Sequence, residues 1–168
     1  MKIYTISGSS RPTSSNIRLL EALGTINKEH EFVRLAVIED LPLFKAELDC
    51  HPWPPAVLAW RAALTKADAL IISTPEYLHN LPALIKNALE WLASSGELVG
   101  KAVLPITFTP NPPRGERTME SLTWSLQALD AKIVTQLPLY QKDLVINKAG
   151  KIEGEESLEL LEAAIALL

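Results

Sequence analysis

The sequence predicts an α/β fold in which a five-stranded parallel sheet is covered by helices on both faces. Three observations lead there. Short β-favouring runs alternate with helical patterns along the chain. One strand, Asp68 to Ser73 (DALIIS), is almost continuously apolar, as a strand covered on both sides must be. The 168 residues, 48% of them apolar, suffice for one hydrophobic core and leave no room for two, so residues 1–168 are expected to form a single domain.

Residues 2 to 7 (KIYTIS) read as the first strand, ending at Gly8. A polar segment, Ser9 to Asn16, leads into a helix in which Ile17, Leu19, Leu20 and Leu23 recur at helical spacing. Glu31 to Ile38 (EFVRLAVI) reads as a second strand, followed by a proline-rich connection to Pro55. Proline suits a first helical turn, because the N–H it lacks would be unpaired there, so a helix is expected from Ala56 to Lys66. After the apolar third strand and the turn Thr74 to Asn80, Pro82 opens a helix reaching Leu92, with Leu84, Ile85, Ala88, Leu89 and Leu92 on one stripe. Lys101 to Phe108 (KAVLPITF) is a fourth strand, Glu116 to Leu129 a helix, and Lys132 to Thr135 a short fifth strand. The segment Leu137 to Gly154 carries no clear pattern. Glu155 to Leu168 is a last helix whose acidic start suits the positive end of the helix dipole.

Composition excludes several classes of function. Sixteen basic residues against 20 acidic ones, with no Lys/Arg-rich run, lack the electrostatic footprint of a nucleic-acid binder. The longest uncharged stretch, Ala102 to Pro113, is interrupted by prolines and far shorter than the ~20 apolar residues of a spanning helix, so no membrane partner is expected. The single Cys50 cannot form an internal disulfide and the first strand starts two residues in, which together predict no signal peptide and a cytoplasmic location. Cys50 and His51 are adjacent, but His30 and His79 stand far off, so no metal site is expected.

In an open parallel sheet, ligands bind outside the carboxyl ends of the strands where the strand order reverses. For an order 2-1-3-4-5, this brings together the loops after strands one, three and four. The first, Gly8 to Asn16, holds five hydroxyl residues, an amide and a guanidinium directly before a helix start, where free backbone N–H groups and the dipole favour an anion. The alternative is a Ser/Thr-rich helix cap with surplus polarity. None of the seven glycines is spaced G-x-G, and neither Gly-Lys pair completes a Walker A loop, so the dinucleotide and nucleoside-triphosphate fingerprints are absent. The second loop, Thr74 to Pro82, offers backbone hydrogen bonds and an aromatic ring to a flat polar heterocycle, or else is a rigid loop with Tyr77 packed on the surface.

These two loops carry a resemblance. Gly8-Ser9-Ser10-Arg11-Pro12-Thr13-Ser14-Ser15-Asn16 resembles the G-S-x-R-x-x-S-x-N segment of the NAD(P)H-dependent FMN reductases, the flavodoxin-like group that includes quinone, chromate and azo-dye reductases. Thr74-Pro75-Glu76-Tyr77, Pro82, Lys86-Asn87-Ala88-Leu89 and Trp91-Leu92 are similar to that family's T-P-E-Y-N-x-x-x-P-x-x-x-K-N-A-(L/I)-D-W-L segment. The resemblance covers about residues 1 to 130. It implies a flavodoxin-like three-layer sandwich that holds FMN, with Ser9, Arg11, Ser14, Ser15 and Asn16 around the phosphate and Pro75, Glu76, Tyr77 and Leu78 beside the isoalloxazine ring.

The resemblance also implies an oxidoreductase in which FMN takes a hydride at N5 from NADPH or NADH and passes electrons to a small-molecule acceptor: a quinone, an azo compound, a metal oxyanion or free flavin. The cofactor carries the chemistry, so no catalytic side chain is expected. A homodimer or homotetramer is implied as well. The other readings are a flavodoxin-type electron carrier and a non-catalytic relative with weakened FMN binding. Leu78 stands where the family has Asn, His79 where Gly is frequent, and Thr109-Pro110-Asn111-Pro112-Pro113-Arg114-Gly115 where a Gly-rich loop is usual, which is expected to narrow the nicotinamide or substrate side. Arg114 and Arg117 are candidates for the 2′-phosphate of NADPH. Trp60, Trp91 and Trp124, within helices, are expected in core or interface packing.

Overall fold

A computed structural model describes the backbone of residues 1–168 and every side chain except that of Val37. Strand β1 is Lys2–Ser7, helix α1 Ser15–Ile26, β2 Glu31–Arg34, α2 Pro55–Lys66, β3 Ala69–Thr74 and α3 Ala83–Glu90. They are followed by β4 Ala102–Thr109, α4 Glu116–Ala128, β5 Lys132–Ile133, β6 Leu137–Tyr140, the strand pair β7 Val145–Ile146 and β8 Ile152–Glu153, and α5 Glu155–Ile165. The main sheet is parallel throughout, in the order β2-β1-β3-β4-β5, as the sequence predicts for an α/β flavodoxin-like sandwich.

The strands alternate between two cores. Tyr4, Ile6, Leu70, Ile72 and Val103 face α2, α3 and α4, where Trp60, Leu64, Ile85, Trp91 and Leu122 are buried. Ile3, Ala69, Ile71, Leu104 and Ile106 face α1 and α5, packing on Leu19, Leu23, Leu161 and Ile165. The period-2 alternation of side chains supplies one face to each helical layer, which is why β3 reads as a continuous apolar run. Trp60 and Trp91 are fully buried, whereas Trp124 is 66% exposed.

Two elements differ from the sequence expectation. The second strand ends at Arg34 rather than Ile38, and a single turn of 3-10 helix, Val37–Asp40, places Ile38 in the α2–α3 core. Leu35 still donates to the Thr5 carbonyl at 2.9 Å, and the chain then leaves the sheet at Ala36, whose helical backbone opens the 3-10 turn. The fifth strand is longer than expected and broken: β5 pairs with the start of β4 and β6 with its end, the register stepping by one residue between them. Pro138 is tolerated in β6 because β6 lies at the sheet edge, where a missing N–H removes no ladder bond.

The motif around α3 serves packing. Asn87 donates from Nδ2 to the Pro42 carbonyl (3.0 Å) and accepts from the Phe44 N–H (2.8 Å), while the Trp91 indole N–H also donates to Pro42. These bonds fix the proline-rich connection against the helical layer.

Candidate functional site

The strand order reverses between β1 and β3, so the loops leaving β1 and β3 part there and open a cleft at the carboxyl edge of the sheet. Gly8 sets the start of the first loop. Its N–H donates to Ser73 O at 2.8 Å, and a Cβ at this position would stand 2.3 Å from Thr74 Oγ1 and 2.7 Å from Thr74 Cβ. Only glycine lets the exit of β1 lie this close to β3. The chain then closes a turn, Ser14 N–H to Arg11 O at 2.9 Å, and Ser14 caps α1 by accepting from the Asn16 N–H at 3.2 Å. Ser9 and Ser14 are buried, Ser15 is half-buried and Arg11 is exposed. Among the described residues no carboxylate pairs with Arg11. The loop therefore presents hydroxyls, a helix N-terminus and an uncompensated cation to one point.

Asn16 lies beneath this loop, 1% exposed. Its Nδ2 donates to Phe108 O at 3.2 Å and its Oδ1 accepts from Ser73 Oγ at 2.7 Å. Each polar end of the side chain thus has a partner, one on β3 and one on β4, and the residue ties α1 to the two central strands.

The second loop is a tight hairpin. Tyr77 and Asn80 exchange backbone hydrogen bonds (3.1 and 3.0 Å) across Leu78 and His79, whose φ values are +51° and +57°. Positive φ at both central positions is the type I′ pattern that favours Asn-Gly, so a branched leucine here is strained. Leu78 is 98% exposed and gains no burial in return. The variant Leu78→Asn is therefore expected to raise the unfolding free energy by about 0.5–1 kcal/mol, measured by urea denaturation; equal or lower stability would show that the turn is unstrained.

Glu76 joins this loop to the third. Its side chain is 4% exposed, and Oε2 accepts from the Gly115 N–H (2.9 Å) and from Thr118 Oγ1 (3.4 Å) at the start of α4. A carboxylate at a helix N-terminus is favourably placed. On its other side, Oε1 lies 3.4 Å from His79 Nδ1. The third loop is closed by Thr109 Oγ1 donating to Arg114 O at 2.7 Å, and Gln141, whose N–H donates to Thr109 O, reaches back from the end of β6 to donate from Nε2 to Ser15 Oγ at 2.9 Å.

Together the loops enclose a cleft of about 200 Å³. Of the residues singled out from the sequence, Ser9, Arg11, Ser14, Ser15, Asn16, Pro75, Glu76 and Tyr77 line it, and Leu78 does not, because the left-handed turn sends its side chain into solvent. Arg114 lines it too, whereas Arg117 sits on the exposed face of α4, 3.7 Å from Glu120. Thr109 and Pro110, from the loop expected to narrow the substrate side, are walls of the cleft, and sequence reasoning missed Phe108 and Gln141. Phe108 follows from the fourth strand's position beside the third. Gln141 has no local signal, since its place depends on the broken fifth strand. Among the described residues no group of His, Cys, Asp and Glu is arranged to hold a metal ion, and no helix is long and apolar enough to cross a membrane.

Comparison with known proteins agrees with this geometry. The chain is 28% identical over its whole length to an NAD(P)H-dependent FMN reductase of Pseudomonas aeruginosa, covering 93% of that protein. It is 31% identical over 92% of its length to a quinone reductase of Escherichia coli K12, covering 84% of it. Its fold matches the flavoenzyme NAD(P)H:(acceptor) oxidoreductase FerB of Paracoccus denitrificans with a TM-score of 0.81 at 22% identity, over 99% of this chain and 94% of that one. The family model described as NADPH-dependent FMN reductase matches residues 1–142, which include all three loops of the cleft, and the chain belongs to that family.

Proposed function

We propose that this FMN- and NAD(P)H-dependent oxidoreductase delivers its electrons to a quinone or a comparable small planar acceptor. The observation that carries the reading is the cleft itself: a cationic, hydroxyl-rich helix start at one end, and at the other a proline-stiffened loop with an exposed aromatic ring. The donor set fits FMN. Arg11, Ser9, Ser14, Ser15 and the free N–H groups of the α1 N-terminus would hold the dianionic phosphate through charge-assisted hydrogen bonds. Pro75, Glu76 and Tyr77 would border the ring, Glu76 through its backbone because its carboxylate is bound to the start of α4. Tyr77, 54% exposed, and the Thr109–Pro110 wall would limit the space open to a nicotinamide or a quinone.

When bound, FMN supplies the redox chemistry, accepting a hydride equivalent from NAD(P)H and releasing two electrons to the acceptor. The protein positions the reactants and shapes the cleft. Asn16 holds α1, β3 and β4 in register beneath the phosphate loop, and Glu76 fixes the second loop to the third. No side chain acid or base is assigned.

The same reading treats residues 1–168 as one FMN-binding domain, supported by α1 and α5, from opposite ends of the chain, packing in one core. It places the protein in the cytoplasm, supported by its single, exposed cysteine. It also has the chain act as a homodimer or homotetramer, supported by the exposed Trp124 over a groove with Leu89 and Leu129.

The test is a visible spectrum of the purified protein after incubation with FMN and desalting, then anaerobic NADPH or NADH, then benzoquinone. Retained yellow flavin, bleached by a nicotinamide nucleotide and restored by benzoquinone, is the expected result. Flavin that is reduced but not reoxidised by quinone would overturn the acceptor, and no retained flavin would overturn the phosphate and ring assignments.

A further inference from the structure

Beside the flavin cleft lies a second cavity of about 220 Å³ that shares three of its walls: Ser15, Phe108 and Gln141. The Gln141 to Ser15 hydrogen bond forms the bar between the two, and it is exposed. Beyond the bar the cavity is bounded by Arg18 and by residues 144–146, with Leu144 buried and Val145 half exposed.

Arg18 stands one turn along α1 from the phosphate loop. Its Nη2 donates to Ile146 O (2.8 Å) and Asn147 O (3.1 Å), which fixes the guanidinium against the β7–β8 pair. A guanidinium has five N–H donors, so others remain, and among the described residues no carboxylate pairs with it. The cavity therefore combines a fixed, uncompensated cation with an apolar wall on which a flat base can lie. An anion site followed by such a wall suits a phosphate bearing a nucleoside. Ser15 belongs to both cavities, so a flavin phosphate held at the α1 N-terminus stands at the bar. The group that continues covalently from that phosphate in a natural flavin is the adenylate half of FAD.

We propose that this second cavity is a subsite for the adenylate half of FAD, so that the chain holds the dinucleotide flavin as well as FMN. The Gln141 amide and Arg18 take the second phosphate, and the adenine lies against Val145 and Ile146. The proposal rests on the flavin reading above, and the experiment separates the two.

Flavin-free protein is titrated with riboflavin, FMN and FAD, following the quenching of flavin fluorescence, and with AMP as competitor. FAD is expected to bind as tightly as FMN, within about threefold, and Val145→Asp and Arg18→Gln are each expected to weaken FAD by about tenfold while leaving FMN within twofold. AMP is expected to displace FAD but not FMN. Val145 is exposed, so its variant keeps the test open should loss of the Arg18 bonds disturb the fold. FMN binding tightly with FAD more than tenfold weaker would overturn the subsite and leave the FMN reading standing. Equal effects of the variants on FMN and FAD would do the same. If neither FMN nor FAD binds, both readings fall.

Discussion

Asn16→Ala is expected to lower the unfolding free energy by about 2–4 kcal/mol, while Arg11→Ala, five residues away, leaves stability within about 0.5 kcal/mol and weakens FMN about 10- to 100-fold. The two residues belong to one motif, yet their environments differ. The Asn16 side chain is enclosed, and its removal leaves the fully buried Ser73 hydroxyl and the Phe108 carbonyl without partners. Each orphaned group costs its desolvation, which exceeds the net gain of the bond that was lost. Arg11 reaches solvent, makes no ion pair among the described residues, and faces the cleft. Removing it deletes one charge-assisted bond to a phosphate and no internal contact. Thermal denaturation of the flavin-free variants measures the first effect and flavin-quenching titration the second. Asn16→Asp sharpens the test: it keeps the bond from Ser73 but turns a carboxylate oxygen towards the Phe108 carbonyl, so it should also destabilise. An Asn16→Ala protein that melts with the parent but loses FMN would assign Asn16 to the phosphate directly.

The contrast shows what the sequence could and could not convey. The motif spacing placed Ser9 to Asn16 at a helix start, and the apolar third strand placed that start beside the second loop; both are local or periodic features and both are found. The direction of the Asn16 side chain is not local. It depends on β3 and β4 lying beneath α1, with Ser73 and Phe108 at hydrogen-bonding distance, a matter of tertiary register that a single motif does not encode. Leu78 is similar: the motif position suggested a ring contact, but the left-handed turn decides where the side chain goes. Residues 137–154 resisted reading for another reason. β7 and β8 are two residues each, too short for alternation to show, and Pro138 disguises β6 as a loop. Gln141 and the second cavity were hidden with them.

The second large effect lies away from the cleft. Arg61→Ala is expected to cost about 3–5 kcal/mol of stability, as removal of one partner from a buried ion pair does. Arg61 is buried on α2 and donates from Nη2 to Asp49 Oδ1 at 2.8 Å and from Nε and Nη2 to the Trp91 carbonyl (3.2 and 2.7 Å), with Glu97 3.9 Å away and the Trp53 ring 5.0 Å from the guanidinium carbon. One side chain thus pins the proline-rich connection, through Asp49 and Trp53, to the end of α3. Its loss strands the Asp49 carboxylate, 8% exposed, and a helix-terminal carbonyl. Burial alone would raise the Asp49 pKa, but hydrogen bonds from Ser94 and Arg61, the Arg61 charge and the Trp53 indole outweigh it and hold the carboxyl below its ordinary value of 3.8. A carboxyl depressed in the folded state contributes stability that is present above the unfolded value and lost as pH falls through the folded one. The stability difference between the parent and Asp49→Asn should therefore be constant from neutral pH down to about the ordinary carboxylate range and shrink below it. Urea denaturation across pH 7 to 3 reads this directly, since the neutral amide cannot titrate. A difference that already vanishes above pH 5 would mean that Arg61 does not hold Asp49 in its charged form, and would remove the electrostatic part of the Arg61→Ala effect, leaving the orphaned Trp91 carbonyl and lost packing to account for the remainder.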